Sequence, residues 1–307
     1  MGADYARKNG QYNTYHNVNE PKFDTLSKQM LYWLQETSTK LINPWSFVPK
    51  DFVPVIDGHL WTIPIEFRSS LILYVTQAGL AHLSTRARMS IIIGLIVWVH
   101  QMYRWEMILF YSGFLLAEID HYRASRLPSS LPLLEAAATT RYDRLKTVFF
   151  MTVFIVGVYL GCQPQLDAGL TPGWITLWNM IPGKSREEVR LYWPSWGAIM
   201  LVWSTSCSRP LKKMFDNRVA QYLGYISYSM YLVHGLVLNT VGYGVINIAN
   251  GAIGADHTAN KAIGFGMGLT ASILTTIWLA DFFTRAVDEP LVKFAKMVEQ
   301  KFRASID

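Results

Sequence analysis

The residues best suited to chemistry stand at the mouth of an apolar helix. Residues 59–70 include Glu66 and Arg68, and this stretch runs directly into the apolar residues 71–75. Ionisable side chains inside a membrane are costly, so those that occur there are candidates for function. A structural interpretation stays open, in which Trp61 anchors the helix at the interface and Arg68 extends to the headgroups or pairs with Glu66.

Further polar residues recur along one side of this helix. Thr62, Glu66, Ser69 and Thr76 follow one another at intervals that place them roughly on one face. A polar stripe inside a membrane span should face the interior of the bundle or a water-filled cavity.

A second candidate cluster lies in the late segment 224–235. Ser227, Tyr231 and His234 are spaced i, i+4 and i+7, again on one face, and Gly235 permits close approach by another helix. A histidine in a span can serve catalysis or simply pack through a hydrogen bond, and both interpretations stay open. A third cluster, Glu118 with Asp120, precedes Arg123 and Arg126; we interpret it as a span end held by charge.

The composition indicates a membrane protein. Of the 307 residues 51% are hydrophobic and 16% are charged, whereas a soluble domain carries about a quarter charged residues. We predict an all-α, polytopic helical bundle with about seven transmembrane helices, at 64–83, 89–103, 105–120, 146–162, 195–208, 221–248 and 262–284. The second and third could instead form a re-entrant hairpin. The net charge of +6 requires no nucleic-acid partner, and no Cys/His cluster has metal-ligand spacing.

The basic residues predict the orientation of these spans. Sixteen Lys and Arg residues fall on one set of connections and in the C-terminal tail, and five fall on the other set. The positive-inside rule then places the C-terminus in the cytoplasm and the loops 163–194 and 249–261 outside. We divide the chain into an extramembrane segment 1–60 with an amphipathic helix at about 23–42, a membrane domain 61–290, and a cytoplasmic basic tail 291–307.

That orientation puts residues 1–60 outside, although they contain no signal peptide pattern that would carry them across. Either the first apolar run does not cross, or spans that belong upstream are missing from this chain. We favour missing spans.

Three segments resemble one known family. Residues 60–70 closely resemble the signature of the acyltransferase 3 family, particularly its fungal branch. Residues 113–120 resemble that family's small-residue segment ending in acidic residues, and residues 224–235 resemble its late Ser-Tyr…Tyr-Leu-x-His motif. The resemblance runs from about residue 30 to residue 295, with the motifs in the family's order.

The resemblance implies an integral membrane enzyme that moves an acyl group, typically from acyl-coenzyme A, onto a hydroxyl. Sugars, polysaccharides, lipids and secondary metabolites are acceptors in the family. It implies a multi-pass protein in the lipid bilayer that binds no cofactor and no metal, and it leaves the oligomeric state open. The implied catalytic residues are Glu66, Arg68, Tyr231 and His234, with His59, Trp61, Ser69, Ser227 and Tyr228 lining the substrate site.

The chain departs from the family pattern in one respect. Family members begin with additional spans, the first of which carries an Arg and then the His regarded as the catalytic base, and residues 1–60 do not resemble that span. We therefore expect little acyl transfer from this chain by itself. The alternatives are a non-catalytic or degenerate family member, or a membrane transporter or binding protein. A transporter should show inverted repeats with broken helices, which the sequence lacks.

Overall fold

The structure, a computed structural model, describes residues 21, 23–45, 58–126, 141–164, 168–181, 191–254 and 257–303. Within these ranges all regular structure is helical and no strand occurs, so the predicted all-α class is confirmed. The α-helices are α1 Leu26–Glu36, α2 Thr62–Leu80, α3 Thr85–Gln101, α4 Trp105–Arg126, α5 Arg141–Gly161, α6 Ile175–Asn179, α7 Tyr192–Cys207, α8 Arg209–Phe215, α9 Arg218–Tyr225, α10 Ser227–Val237, α11 Tyr243–Ile253, α12 Thr258–Phe283 and α13 Glu289–Arg303. Three π-helical turns follow α1, α10 and α12, at Thr37–Leu41, Leu238–Gly242 and Thr284–Asp288.

The helices form two compact units. Unit 1 contains residues 1–64 and 218–307, and unit 2 contains residues 65–217. The boundary falls inside α2, directly after Pro64, which lies in the first turn of that helix. Proline is tolerated there because the first backbone N–H groups of a helix have no intrahelical partner.

Unit 2 is built on helix pairs with an apolar interior. The core between α3 and α4 consists of Ile92, Val99, Met107, Ile108 and Tyr111. Helices α5 and α7 approach closely because glycines meet where they cross. A Cβ atom at Gly197 would lie only 2.7 Å from the carbonyl oxygen of Gly157, so no larger residue fits without moving the backbone.

Unit 1 packs α12 against α10 and α11. Ile226, Val233 and Ala280 form its buried centre. A Cβ atom at Gly268 of α12 would collide with the Ile246 side chain and lie 2.9 Å from the carbonyl oxygen of Gly242, so this glycine allows the contact with α11.

Six of the seven predicted spans each overlap one helix: α2, α3, α4, α5, α7 and α12. The predicted span 221–248 instead covers the end of α9, all of α10, the π turn Leu238–Gly242 and the first half of α11. Three helical stretches of the described residues are long and apolar enough to cross a membrane, namely Arg144–Gly161, Ser227–Ile253 and Thr258–Arg303. The number seven and the orientation of the spans stay predictions.

The two segments predicted to flank the membrane domain contain helices. Helix α1 lies within the range 23–42 and begins at Thr25, whose side chain accepts a hydrogen bond from the backbone N–H of Lys28. Helix α13 covers most of the basic tail. Residues 1–20 and 46–57 of the N-terminal segment, and parts of the loops 163–194 and 249–261, lie outside the described residues.

Candidate functional site

Four residues of unit 1 form a polar group that we call the tyrosine–histidine cluster: His59, Thr62, Tyr231 and His234. A 3₁₀ turn, Gly58–Trp61, leads into α2 and presents the backbone carbonyl of His59. The Tyr231 hydroxyl donates a hydrogen bond to this carbonyl and accepts one from the Thr62 hydroxyl at 2.7 Å. The opening motif and the late motif are therefore joined by hydrogen bonds.

The imidazole of His234 is held in one tautomer by its own helix. Its Nδ1 atom lies 2.6 Å from the backbone carbonyl oxygen of Tyr231, and a carbonyl oxygen can only accept. Nδ1 must therefore carry a proton, and in the neutral ring Nε2 is left as the acceptor. This is the arrangement that a histidine needs to receive a hydrogen bond, or a proton, from a hydroxyl group.

Aromatic contacts fix the position of that ring. The imidazole of His59 meets it edge-on, with ring centroids 5.1 Å apart, and the Tyr231 ring lies 5.8 Å away. Trp61, Tyr231 and His234 are all partly buried. The cluster thus places an imidazole, whose Nδ1 atom faces a backbone carbonyl, beside a tyrosine hydroxyl in a partly buried position.

The other predicted residues of α10 lie outside this cluster. Ser227 is exposed, and its hydroxyl donates to the carbonyl of Gly224 at 2.8 Å. Tyr228 is 50% exposed. Reasoning from the sequence did not select Ser229. This residue is buried and accepts a hydrogen bond from the Thr284 hydroxyl at 2.7 Å, which links α10 to the turn at the end of α12.

Unit 2 contains a different group, which we call the ionic cluster: Arg68, Arg104 and Glu106. The Oε1 atom of Glu106 accepts from Arg68 Nη2 at 3.2 Å and lies 2.6 Å from Arg104 Nη2. The Glu106 side chain is 6% exposed, whereas that of Arg104 is 46% exposed. Two positive charges share one carboxylate, so the cluster carries one excess positive charge and can attract an anionic group through Arg104.

A strained turn positions Arg104 in this cluster. Helix α3 ends at Gln101, and Tyr103, two residues further on, adopts the left-handed conformation with φ of 56°. The N–H groups of Tyr103 and Arg104 bond back to the carbonyls of His100 and Val99, the pattern of a Schellman helix end. A glycine usually occupies this position, and a tyrosine there costs on the order of 1 kcal/mol.

The polar stripe predicted for α2 divides in the structure. Ser69 is fully buried, and the Thr76 hydroxyl lies 3.2 Å from that of Tyr111, but Glu66 is exposed. Within the described residues Glu66 makes no ion pair, so the structural alternative of a Glu66–Arg68 pair is not realised. Arg68 pairs with Glu106 instead.

The predicted charge contacts at the end of α4 are partly formed. Asp120 lies 3.9 Å from Arg123, as expected, but Glu118 pairs with Arg88 of α3 at 2.9 Å. The side chain of Arg126 lies outside those that the structure describes.

Sequence reasoning assigned no function to Arg104 or Glu106, although a signal was present. Both interrupt the apolar residues that run through α3 and α4, where charged groups are expected only with a partner. Among the described residues, no group of three or more His, Cys, Asp or Glu side chains could hold a metal ion.

Comparisons with known proteins point to fungal acyltransferases. O-acetyltransferase PaAT-1 of Phomopsis amygdali is 28% identical over 269 residues, covering 87% of this chain and 51% of that protein. Acyltransferase R4 of Phoma sp. (strain ATCC 20986 / MF5453) is 28% identical over 83% of this chain and 53% of its own length. Acyltransferase clz18 of Cochliobolus lunatus is 27% identical over 79% of this chain and 51% of its own length.

The chain thus spans about half the length of the curated relatives that it matches. No solved structure matches it. The family comparison covers most of the chain and contains both motifs of the tyrosine–histidine cluster. Because residues 29–285 match the model of the acyltransferase 3 family, described as an acyltransferase domain, the chain belongs to that family.

Proposed function

We propose that the chain forms part of a membrane-bound acyltransferase that moves an acyl group from acyl-coenzyme A to a hydroxyl of a sugar, a lipid or a secondary metabolite. Family membership supports acyl transfer, and the three apolar helical stretches support a membrane location. The name of the Phomopsis amygdali relative favours an acetyl group and an oxygen acceptor. The observation that carries the proposal is the tyrosine–histidine cluster, because it presents an imidazole acceptor in a fixed tautomer.

The reaction requires an acceptor hydroxyl to lose its proton as its oxygen attacks the thioester carbonyl. A new C–O bond forms, the C–S bond breaks, and the coenzyme A thiolate leaves and takes up a proton. A base must lie within hydrogen-bond reach of the hydroxyl, and donors must stabilise the oxyanion that develops. The family resemblance assigns the base to a histidine of an upstream span.

We propose that His234 orients the acceptor hydroxyl. Its Nδ1–H is occupied by the Tyr231 carbonyl, so Nε2 accepts a hydrogen bond from the acceptor hydroxyl. The Thr62 hydroxyl and the His59 carbonyl both bond to the Tyr231 hydroxyl. These two hydrogen bonds fix the position of the Tyr231 side chain on the polar face of α10. The side chains of His59, Trp61, Ser227 and Tyr228 line the approach of the substrate.

The residues of α2 in unit 2 have separate proposed roles. Glu66 is exposed and makes no ion pair among the described residues, so its carboxylate is available to hold or polarise a reacting group. Arg68 is buried and oriented by Glu106, and Ser69 packs beside it. The proposed acyl donor carries phosphates, which the excess positive charge of the ionic cluster would attract.

A donor and acceptor survey tests this function. Membranes that contain the chain, extended at its N-terminus by the additional spans of the family pattern, are incubated with radiolabelled acetyl-coenzyme A and with sugar, lipid and secondary-metabolite acceptors. We expect release of coenzyme A together with an O-acetylated product. Membranes carrying His234→Ala serve as the inactive comparison and His257→Ala as the matched control, because His257 is an exposed histidine of the same unit. If no pair of donor and acceptor gives more acylated product than the His234→Ala membranes do, the result would favour a non-catalytic family member.

A further inference from the structure

We propose that α13, residues Glu289–Arg303, is an interfacial helix that binds an anionic lipid surface. None of its residues is buried in the structure. The proposal is independent of the acyltransferase function. It rests on where the helix begins, on the pattern of its apolar and basic residues, and on the turn that precedes it.

The length of the preceding helix places α13 at the edge of a membrane. The candidate span Thr258–Arg303 contains 46 residues, which extend for about 70 Å, more than twice the hydrocarbon thickness of a bilayer. Helix α12 alone has 26 residues and covers about 39 Å, enough to cross. The chain that follows Phe283 must therefore lie outside the hydrocarbon core.

The side chains around the end of α12 have the character of a membrane–water interface. Trp278 and Phe282 are exposed and stack on each other on the outer side of the helix. Two exposed tyrosines of α9 reach charged groups nearby: Tyr222 donates to Asp281 at 3.1 Å and Tyr225 donates to Glu289 at 2.5 Å. Exposed aromatic rings beside charged residues are typical of the interface, where one side of a ring is apolar and the other is wet.

The apolar residues of α13 form one continuous face. Leu291, Phe294, Val298 and Phe302 follow the helical period, and Val292 and Met297 lie at the edges of the face. The large apolar side chains, apart from the partly buried Val298, are between 46% and 69% exposed: Leu291, Val292, Phe294, Met297 and Phe302. An exposed apolar face of this size is typical of a helix that binds a membrane or a protein. Because α13 follows a membrane span, a lipid surface lies directly beside this face.

The charges of α13 select the kind of lipid. The helix carries four basic residues, Lys293, Lys296, Lys301 and Arg303, against two acidic ones, Glu289 and Glu299. Glu289 already pairs with Lys293 and accepts from Tyr225. The remaining basic residues complement an anionic leaflet, and the orientation that we propose from the Lys and Arg distribution places them in the cytoplasm, where such lipids occur.

The junction between α12 and α13 allows the axis to change direction. The π turn Thr284–Asp288 separates the two helices, and Pro290 follows at the second position of α13. π turns and prolines are the usual causes of sharp bends in helices. Thr284 is buried and bonded to Ser229, so the turn itself is anchored while α13 is left to lie along the surface.

Spin-label depth measurements test the proposal. The chain, with Cys162→Ser and Cys207→Ser, is reconstituted in nanodiscs of phosphatidylcholine alone or mixed with phosphatidylserine. Single labels replace Phe294, Lys296, Val298, Gln300 and Phe302, and their collision rates with oxygen and with a nickel chelate are compared. In the mixed nanodiscs we expect oxygen access at 294, 298 and 302 and nickel access at 296 and 300.

Two other outcomes would overturn the proposal. Nickel access at all five positions would show a solvated helix, and loss of access to both reagents at 294, 298 and 302 would show a protein partner instead. Immersion that does not depend on phosphatidylserine would contradict the anionic surface.

Variants separate the contribution of the apolar face of α13 from that of its basic residues. Phe302→Glu should release the helix, whereas Gln300→Glu adds the same charge on the polar face and should change the depth profile much less. Replacement of Lys296, Lys301 and Arg303 together by glutamine should lower the ratio of immersed to aqueous label on the order of 100-fold with phosphatidylserine present, at about fivefold for each basic residue. An unchanged ratio would contradict the electrostatic part of the proposal.

Discussion

The tyrosine–histidine cluster of unit 1 and the ionic cluster of unit 2 hold their polar groups by different means. In the first, Thr62, Tyr231 and His234 are joined to backbone carbonyls and to one another through neutral hydrogen bonds. In the second, a buried glutamate accepts from two arginines. The first cluster can lose one group and keep its charge balance, whereas the second cannot.

This difference predicts how the two clusters should respond to mutation. An imidazole whose Nδ1–H is bonded to a backbone carbonyl can exchange a hydrogen bond with a substrate through its other nitrogen at little cost. The buried Glu106 carboxylate is shared by two guanidinium groups, and removing its charge leaves positive charge uncompensated in a place of low dielectric. Stability and turnover should therefore respond to mutation in opposite ways in the two clusters.

The largest effect is expected from Glu106→Gln. The substitution keeps the shape of the side chain but leaves Arg68 without its buried counter-charge, so the protein should lose about 3–5 kcal/mol of stability. Thermal unfolding in detergent measures the loss. Asp120→Asn is the matched control, because the Asp120–Arg123 pair is exposed and should contribute less than about 1 kcal/mol. Equal stability of the two variants would show that the ionic cluster is not a structural element.

Glu66→Gln, at a residue that belongs to neither cluster, should lower turnover and leave stability unchanged. Glu66 makes no ion pair among the described residues, so its loss should leave the unfolding temperature unchanged, while acyl transfer by the chain with the family's additional N-terminal spans restored should fall about 10²-fold or more. The variant protein should stay in the membrane. Activity within a few-fold of the unmodified protein would remove Glu66 from the proposed site.

A smaller effect is expected from Tyr231→Phe, which deletes the hydroxyl that joins Thr62 to the His59 carbonyl. We expect a loss of about 1 kcal/mol in stability and roughly tenfold in turnover, because His234 is then held less firmly. Tyr243→Phe is the control, since the Tyr243 hydroxyl makes no hydrogen bond within the described part of the chain. Identical turnover of the two variants would indicate that the hydroxyl network has no part in the reaction.

The positions of the helices could be predicted because long apolar runs have few alternatives in a membrane. The runs at 146–162 and 262–284 end within one residue of α5 and α12 but begin five and four residues later than these helices. The π turns could not be predicted in this way. The turn Thr284–Asp288 begins at Thr284, whose hydroxyl bonds to that of Ser229, 55 residues away in the sequence.

The candidate site was predictable only as far as spacing along one helix allows. The spacing of Tyr231 and His234 showed that they share a face, and the structure brings His59 to that face. The same reasoning grouped Glu66 with Ser69, yet one is exposed and the other buried, because spacing does not reveal which part of a face is packed. Glu106 was missed because its partner Arg68 is 38 residues away.

The turnover of His234→Ala tests the central claim most directly. The kcat and KM for acetyl transfer are measured for the 307-residue chain and for the same chain extended at its N-terminus by the additional spans of the family pattern, each with His234 or alanine, and folding is checked by thermal unfolding. We predict little transfer by the 307-residue chain, and in the extended chain a fall in kcat on the order of 10²-fold for His234→Ala with unfolding unchanged. Robust transfer by the 307-residue chain alone, abolished by His234→Ala, would contradict this account and make His234 the catalytic base.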